Sequence, residues 1–149
     1  MPDPSLAVPI GNAVAGVAWL LLLASLFAPP IRPAGRAAAR FAVPALFAVA
    51  YILLIVRGFG EAEGGGFSTA AEVRALFASD SALAAGWLHY LAFDLFVGAW
   101  IAEAGPRHGI HPLLLVPCLA LTFLFGPAGL LLFLLLRLPL RQPRKEIPA

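Results

Sequence analysis

A carboxyl and an imidazole stand five residues apart in an apolar stretch, Trp87-Leu88-His89-Tyr90-Leu91-Ala92-Phe93-Asp94-Leu95-Phe96-Val97-Gly98-Ala99-Trp100-Ile101. These two side-chain types are the common means of moving protons, the acid donating to an oxygen and the imidazole accepting from a reacting group. Holding an Asp at the centre of a membrane helix costs about 2.5–3.5 kcal/mol on insertion scales, so such a residue normally faces a partner or a site. On an ideal helix Asp94 and His89 are about 140° apart and do not form a face-sharing dyad. Asp94 shares a slowly drifting stripe with Tyr90, Gly98 and Ala102, whereas His89 aligns with Phe93, Trp100 and Glu103. Two readings of Asp94 stay open: a structural interhelical hydrogen bonder, or a site residue.

The elements that must position these groups are helices in a membrane. Of 149 residues, 61% are hydrophobic and only 12% charged, against about a quarter charged in soluble domains. Four apolar stretches carry the excess, at about residues 10–28, 37–56, 82–102 and 112–136. At about 1.5 Å per residue each is long enough for a hydrocarbon core of about 30 Å. No stretch has the continuous polar face that a soluble bundle helix needs. The expected fold is therefore all-α: an integral membrane four-helix bundle forming one domain over 1–149, with an exposed tail at 138–149. A leader without Lys or Arg, and Pro29 just after Ala28, argue that the first stretch is a true span and not a cleaved signal.

In the second loop, Thr69 and Glu72 have capping-box spacing, which predicts a short interfacial helix with Val73, Leu76 and Phe77 on its apolar side. Four spans place both termini on one side, with Arg57, Arg74, Arg137, Arg141, Arg144 and Lys145. Arg32, Arg36, Arg40 and Arg107 fall opposite. The basic-residue count favours cytoplasmic termini, against the pull of the dense Arg32–Arg36–Arg40 cluster.

The fourth stretch offers partners for Asp94. Cys118, Thr122 and Gly126 follow at four-residue steps, with Gly129 one turn on, and Thr122 matches Asp94 in depth across an antiparallel pair. The Thr122 hydroxyl is thus the expected partner of the Asp94 carboxyl. Pro127 removes an amide and frees the carbonyl of Phe123, which needs a donor because lipid supplies none. A protonated Asp94 is one candidate. His89 matches Tyr51 in depth, so a His–Tyr pair is expected. Glu103 and Arg107 read as an i, i+4 ion pair. His108 and His111 lack a complete metal-ligand set, and His89 lacks a second axial histidine for haem, so no metal and no cofactor are expected. The lone Cys118 excludes an internal disulfide. A net charge of +2 without an aromatic-interleaved basic patch argues against nucleic acid.

The run from Ala85 through Ile101, followed by Arg107, Gly109 and Ile110, by Pro117-Cys118-Leu119-Ala120-Leu121-Thr122 and by Gly126-Pro127-Ala128-Gly129-Leu130-Leu131, resembles the abscisic-acid-deficient-four-like family. Asn12, Ala13 and Trp19, and Pro44-Ala45-Leu46-Phe47 with Tyr51, are similar as well, so the likeness extends from about Asn12 to Arg137. Where the family has an acidic and a basic residue after the Trp-Ile pair, this chain has Glu103-Ala104-Gly105-Pro106-Arg107. The resemblance implies a small four-span membrane protein related to the neoxanthin-synthase type, whose plant member is associated with forming neoxanthin from violaxanthin. That reaction opens an epoxide and creates an allene, so the resemblance implies Asp94 as acid and His89 or another group as base. Trp87, Tyr90, Phe93 and Trp100, with Thr122 and Gly126, would then line the substrate.

Two function classes follow. One is a membrane enzyme, an intramolecular isomerase, acting on a carotenoid or related isoprenoid. The other is a non-catalytic lipid-binding or accessory protein using the Tyr90–Gly98 face. The expected partners are that lipophilic molecule and membrane lipid, with oligomerisation left open. Ala- and Pro-rich usage points to a bacterial cytoplasmic (inner) membrane and to a substrate that need not be violaxanthin.

Overall fold

A computed structural model describes residues 2–138, and among these every regular element is helical. Helix α1 spans Pro4–Ser25, capped by Asp3, whose carboxylate accepts from the Ser5 amide at 2.9 Å. A 3-10 turn at Pro29–Ile31 leads into α2 (Arg32–Ala37), a π-helical segment (Ala38–Ala42) and α3 (Val43–Glu61). The short α4 (Ala70–Leu76) precedes α5 (Asp80–Arg107), α6 (Pro112–Phe125) and α7 (Pro127–Arg137). The expected exposed tail lies, from residue 139 on, outside the described residues.

Three helices are long and apolar enough to cross a membrane: Pro4–Ser25, the rod Pro29–Glu61, and Asp80–Arg107. Together they mark the chain as a membrane protein. α5 is the hub, with half of its apolar window buried, against 28% for Pro4–Ser25 and 17% for Pro29–Glu61. Its buried face is built largely of small residues, among them Ala85, Ala92, Gly98, Ala99, Ala102 and Gly105. Small side chains let several neighbours approach one helix closely, where lipid gives little hydrophobic drive for association. α1 runs parallel to α5, with Leu88 over Gly11 and the Trp19 ring over Gly98. α3 runs antiparallel, with Ala82 at Gly58, Tyr51 at His89 and Arg40 at Glu103.

The predicted surface helix is present. Thr69 caps α4, its hydroxyl accepting from the Glu72 amide at 3.2 Å, and Glu72 accepts from the Ser68 amide at 3.1 Å. Leu76 is fully buried, and Phe77 packs over Gly86.

The fourth apolar stretch departs from expectation. It is not one span over 112–136 but two helices of 14 and 11 residues. These are about 21 and 16 Å long, each too short for a hydrocarbon core of about 30 Å. Gly126 separates them at φ 47°, ψ −95°, a left-handed conformation that glycine adopts readily. Pro127 follows at the first position of α7, where its missing amide costs no helical bond. Contacts along α5 show that the chain then doubles back. Leu115 covers Gly105, Asp94 abuts Gly126, and Phe133 returns to Trp100 at 5.2 Å between ring centroids. Gly129 seats α7 on the Cys118 carbonyl and Thr122 amide of α6, so the two backbones touch. A re-entrant helical hairpin thus replaces the fourth span, and both its ends lie at the C-terminal end of α5. Pro4 and Arg137 consequently lie at opposite ends of the fold, not on one side.

Candidate functional site

The polar groups of α5 divide between two faces. One meets the hairpin tip. A helix reversal inside an apolar layer leaves carbonyls at the end of α6 and amides at the start of α7 without helical partners, and lipid satisfies neither. Tyr90 supplies one missing partner, its hydroxyl donating to the Leu124 carbonyl at 3.2 Å. A side-chain donor for a carbonyl freed near Pro127 was foreseeable. It comes from Tyr90 to Leu124, not from Asp94 to Phe123.

Asp94 stands beside this contact, one turn along α5. A Cβ on Gly126 would lie 2.7 Å from Asp94 Oδ1, so the carboxyl occupies space that only glycine leaves free. Asp94 is half-buried, and its Oδ2 is buried with no hydrogen-bond partner among the described residues. Thr122 is not its partner. That side chain is fully buried, and its hydroxyl donates back along α6 to the Cys118 carbonyl at 2.8 Å. The depth match between Asp94 and Thr122 assumed an uninterrupted fourth span, and the fold of α7 across Thr122 removes it from reach. Trp87 completes this face: it stacks on Tyr90 at 5.4 Å between centroids, and its Nε1 donates to Asn12 Oδ1 at 2.7 Å. Trp87, Tyr90, Asp94 and Gly126 are therefore brought together.

The second face of α5 lines a groove against α3, with a volume of about 720 Å³. His89 and Phe93 lie here, stacked at 4.5 Å, with Tyr51 opposite His89 at 5.7 Å. The His–Tyr neighbourhood expected from depth is present. Phe41, Phe47 and Phe96 form much of the remaining wall, and Arg40 stands at the far end. Trp100 belongs to neither face, since its ring packs edge-on against Phe133 of α7. The eight candidate residues do not form one site: His89 and Phe93 line the groove, while Asp94 meets the tip.

Arg40 is the groove residue that sequence reasoning treated only as a topology marker. The signal was available in Arg32, Arg36 and Arg40, spaced four apart on one helical face, the last inside an apolar stretch. Glu103 pairs with Arg40 as well as with Arg107, the latter at 2.5 Å, so the expected i, i+4 pair is part of a bridge between α5 and the π-helical segment. His111 caps α6 through Nδ1, which accepts from the Leu113 amide at 3.3 Å.

The family model described as ABA DEFICIENT 4-like matches residues 7–133. The chain belongs to the ABA DEFICIENT 4-like family. The matched region takes in α1 from residue 7, the whole of the Pro29–Glu61 rod and of α5, and reaches Phe133 in α7, so both faces of α5 lie within it. No curated protein and no solved structure matches the chain.

Proposed function

We propose that this protein is a membrane isomerase of a carotenoid or related oxygenated isoprenoid, with Asp94 as its proton-transfer group. Family membership supports the substrate class, and the Asp94 carboxyl supports the chemistry. The carrying observation is that this carboxyl stands at the hairpin tip, beside Tyr90, with a buried Oδ2 that meets no hydrogen-bond partner among the described residues. A purely structural Asp at mid-span would be occupied by partners, and Thr122, the obvious one, is turned away.

The α6–α7 hairpin ends at Tyr90 and Asp94, so the part of α5 before Tyr90 carries no hairpin on this face. The ring end of an isoprenoid enters there from the lipid, beside Trp87 and Tyr90. For an epoxide substrate, Asp94 in its acid form gives its proton to the ring oxygen as the carbon–oxygen bond opens. The carboxylate so formed removes the ring-side proton. The acid is regenerated and the product is an isomer, so no co-reactant is consumed. His89 is not required as the base, since it opens onto the other face of α5.

The arginine distribution supports an orientation. Arg32, Arg36, Arg40, Arg107 and Arg137 gather at the hairpin's open end, against Arg57 and Arg74 at the other. By the positive-inside tendency the open end is cytoplasmic, in a bacterial inner membrane. The test of function is expression of wild type and Asp94→Asn in a carotenoid-producing host, followed by pigment extraction and chromatography. Wild type should alter the pigment profile, and the variant should still co-purify with pigment but leave the profile unchanged. An equal conversion by both proteins would contradict a proton-transfer role for Asp94.

A further inference from the structure

The α3–α5 groove is a second site, separate from the hairpin tip, and its two ends differ. His89 and Tyr51 mark one end, and Arg40 the other. From Glu103, the partner of Arg40, to His89 is fourteen residues of α5, or about 21 Å. Between these ends the walls are apolar, set by Phe41, Phe93 and Phe96. A volume of about 720 Å³ is in the range of small-molecule sites, about 300–1,000 Å³.

Among the described residues the arginine end carries more positive than negative charge. Arg40 and Arg107 both pair with Glu103, and Arg36 lies near that carboxylate and near Arg32 and Arg107. Arg36 spends one donor on the Ala102 carbonyl at 3.0 Å, and Arg32 donates to the Ser25 carbonyl at 3.2 Å. Among the described residues, no acceptor meets the buried Nε atoms of Arg36 and Arg40. A buried donor left unpaired is costly, and the guanidinium fork matches the oxygens of a phosphate. This cluster lies toward the open end of the hairpin, at one end of the groove.

We propose that the groove binds a phosphate-headed lipid, its phosphate at Arg40 and its chain along Phe41, Phe93 and Phe96 toward His89. The shared chemistry is a phosphate ester on a single apolar chain. Its source is either an isoprenyl diphosphate or one chain of an anionic phospholipid.

The test uses purified full-length protein in phosphate-free dodecyl maltoside micelles, with native mass spectrometry and displacement titration. The probes are geranylgeranyl diphosphate, phosphatidylglycerol, geranylgeraniol and inorganic phosphate. Geranylgeranyl diphosphate or phosphatidylglycerol should be retained, and whichever binds more tightly identifies the source. Arg40→Gln should weaken that probe about 10- to 100-fold, the loss expected for a charged hydrogen-bonded contact. Ala48→Phe, which adds bulk to the groove wall, should block it. Glu103→Gln, which releases Arg40 from its carboxylate, should tighten binding and gives a reading independent of any folding defect in Arg40→Gln. Retention of geranylgeraniol as tight as that of the phosphate-bearing probes would overturn the proposal, as would inorganic phosphate binding as tightly as either lipid. Unchanged binding in both Arg40→Gln and Glu103→Gln would do the same.

Discussion

Along α1, α3 and α5 the backbone bonds to itself, as helices in lipid must, and the side chains are free to set packing alone. The α6–α7 hairpin ends two helices in mid-layer and hands their terminal groups to side chains. The polar residues of the apolar layer follow that division. Tyr90 and Asp94 project from α5 toward the hairpin tip, where Tyr90 bonds Leu124 and Asp94 fills the space beside Gly126. On the opposite face of the same helix the groove is apolar between its ends. The difference teaches that an interrupted backbone draws polar side chains to it, Tyr90 bonding a terminal carbonyl and Asp94 filling the space that Gly126 leaves.

The contrast is broken most severely at Gly129. Gly129→Leu would drive a side chain into the Cys118 and Thr122 backbone, where overpacking costs about 1–3 kcal/mol and more when backbone must move. We expect loss of the folded hairpin, seen as aggregation on size-exclusion chromatography, whereas Gly16→Leu in α1, which meets nothing within 4 Å, should behave as wild type. Similar behaviour of the two variants would remove the case for a tight hairpin.

Next in size is the chemical effect at the tip. Asp94→Asn should lower isomerisation by about 10²- to 10⁴-fold, the span for loss of a general acid or base, while thermal stability changes little because the amide has the same shape. His89→Gln should leave the rate within a few-fold, since His89 faces the groove. A larger loss from His89→Gln than from Asp94→Asn would reverse the assignment of the two faces.

A smaller effect is expected at Tyr90. Tyr90→Phe removes the hydroxyl from the Leu124 carbonyl and should cost about 0.5–1.5 kcal/mol in a detergent unfolding titration. At the exposed Arg57–Glu61 pair, Arg57→Gln should leave stability unchanged within the error of the titration. If the two losses were equal, Tyr90 would have no special role at the tip.

The three long helices were legible because length and hydropathy fix them directly, and α4 because Thr69 and Glu72 carry their capping geometry in the sequence. The face separation of His89 and Asp94 followed from helical angle, and the placing of His89 near Tyr51 from matched depth along antiparallel helices. The hairpin was hidden for a physical reason. Residues 112–136 are apolar throughout, so composition cannot tell one span from two half-length helices, and Gly126-Pro127 is compatible with a kink as well as a reversal. The difference lies in tertiary contacts, Gly129 on α6 and Phe133 on Trp100. Once the chain reverses, Thr122 leaves the Asp94 face and Arg137 joins Arg32, Arg36 and Arg40. The divided arginine count of a four-span reading becomes a one-sided one.

Sidedness tests the reversal most directly. With buried Cys118 replaced by Ala, single cysteines at Ser5 and at Leu138 are labelled in sealed vesicles with a membrane-impermeant maleimide. Three crossings followed by a re-entrant hairpin predict labelling from opposite sides, with Leu138 reached from the cytoplasmic side. Labelling of both positions from the same side would mean that residues 112–136 cross the membrane, and would contradict the hairpin and the Asp94 site built on it.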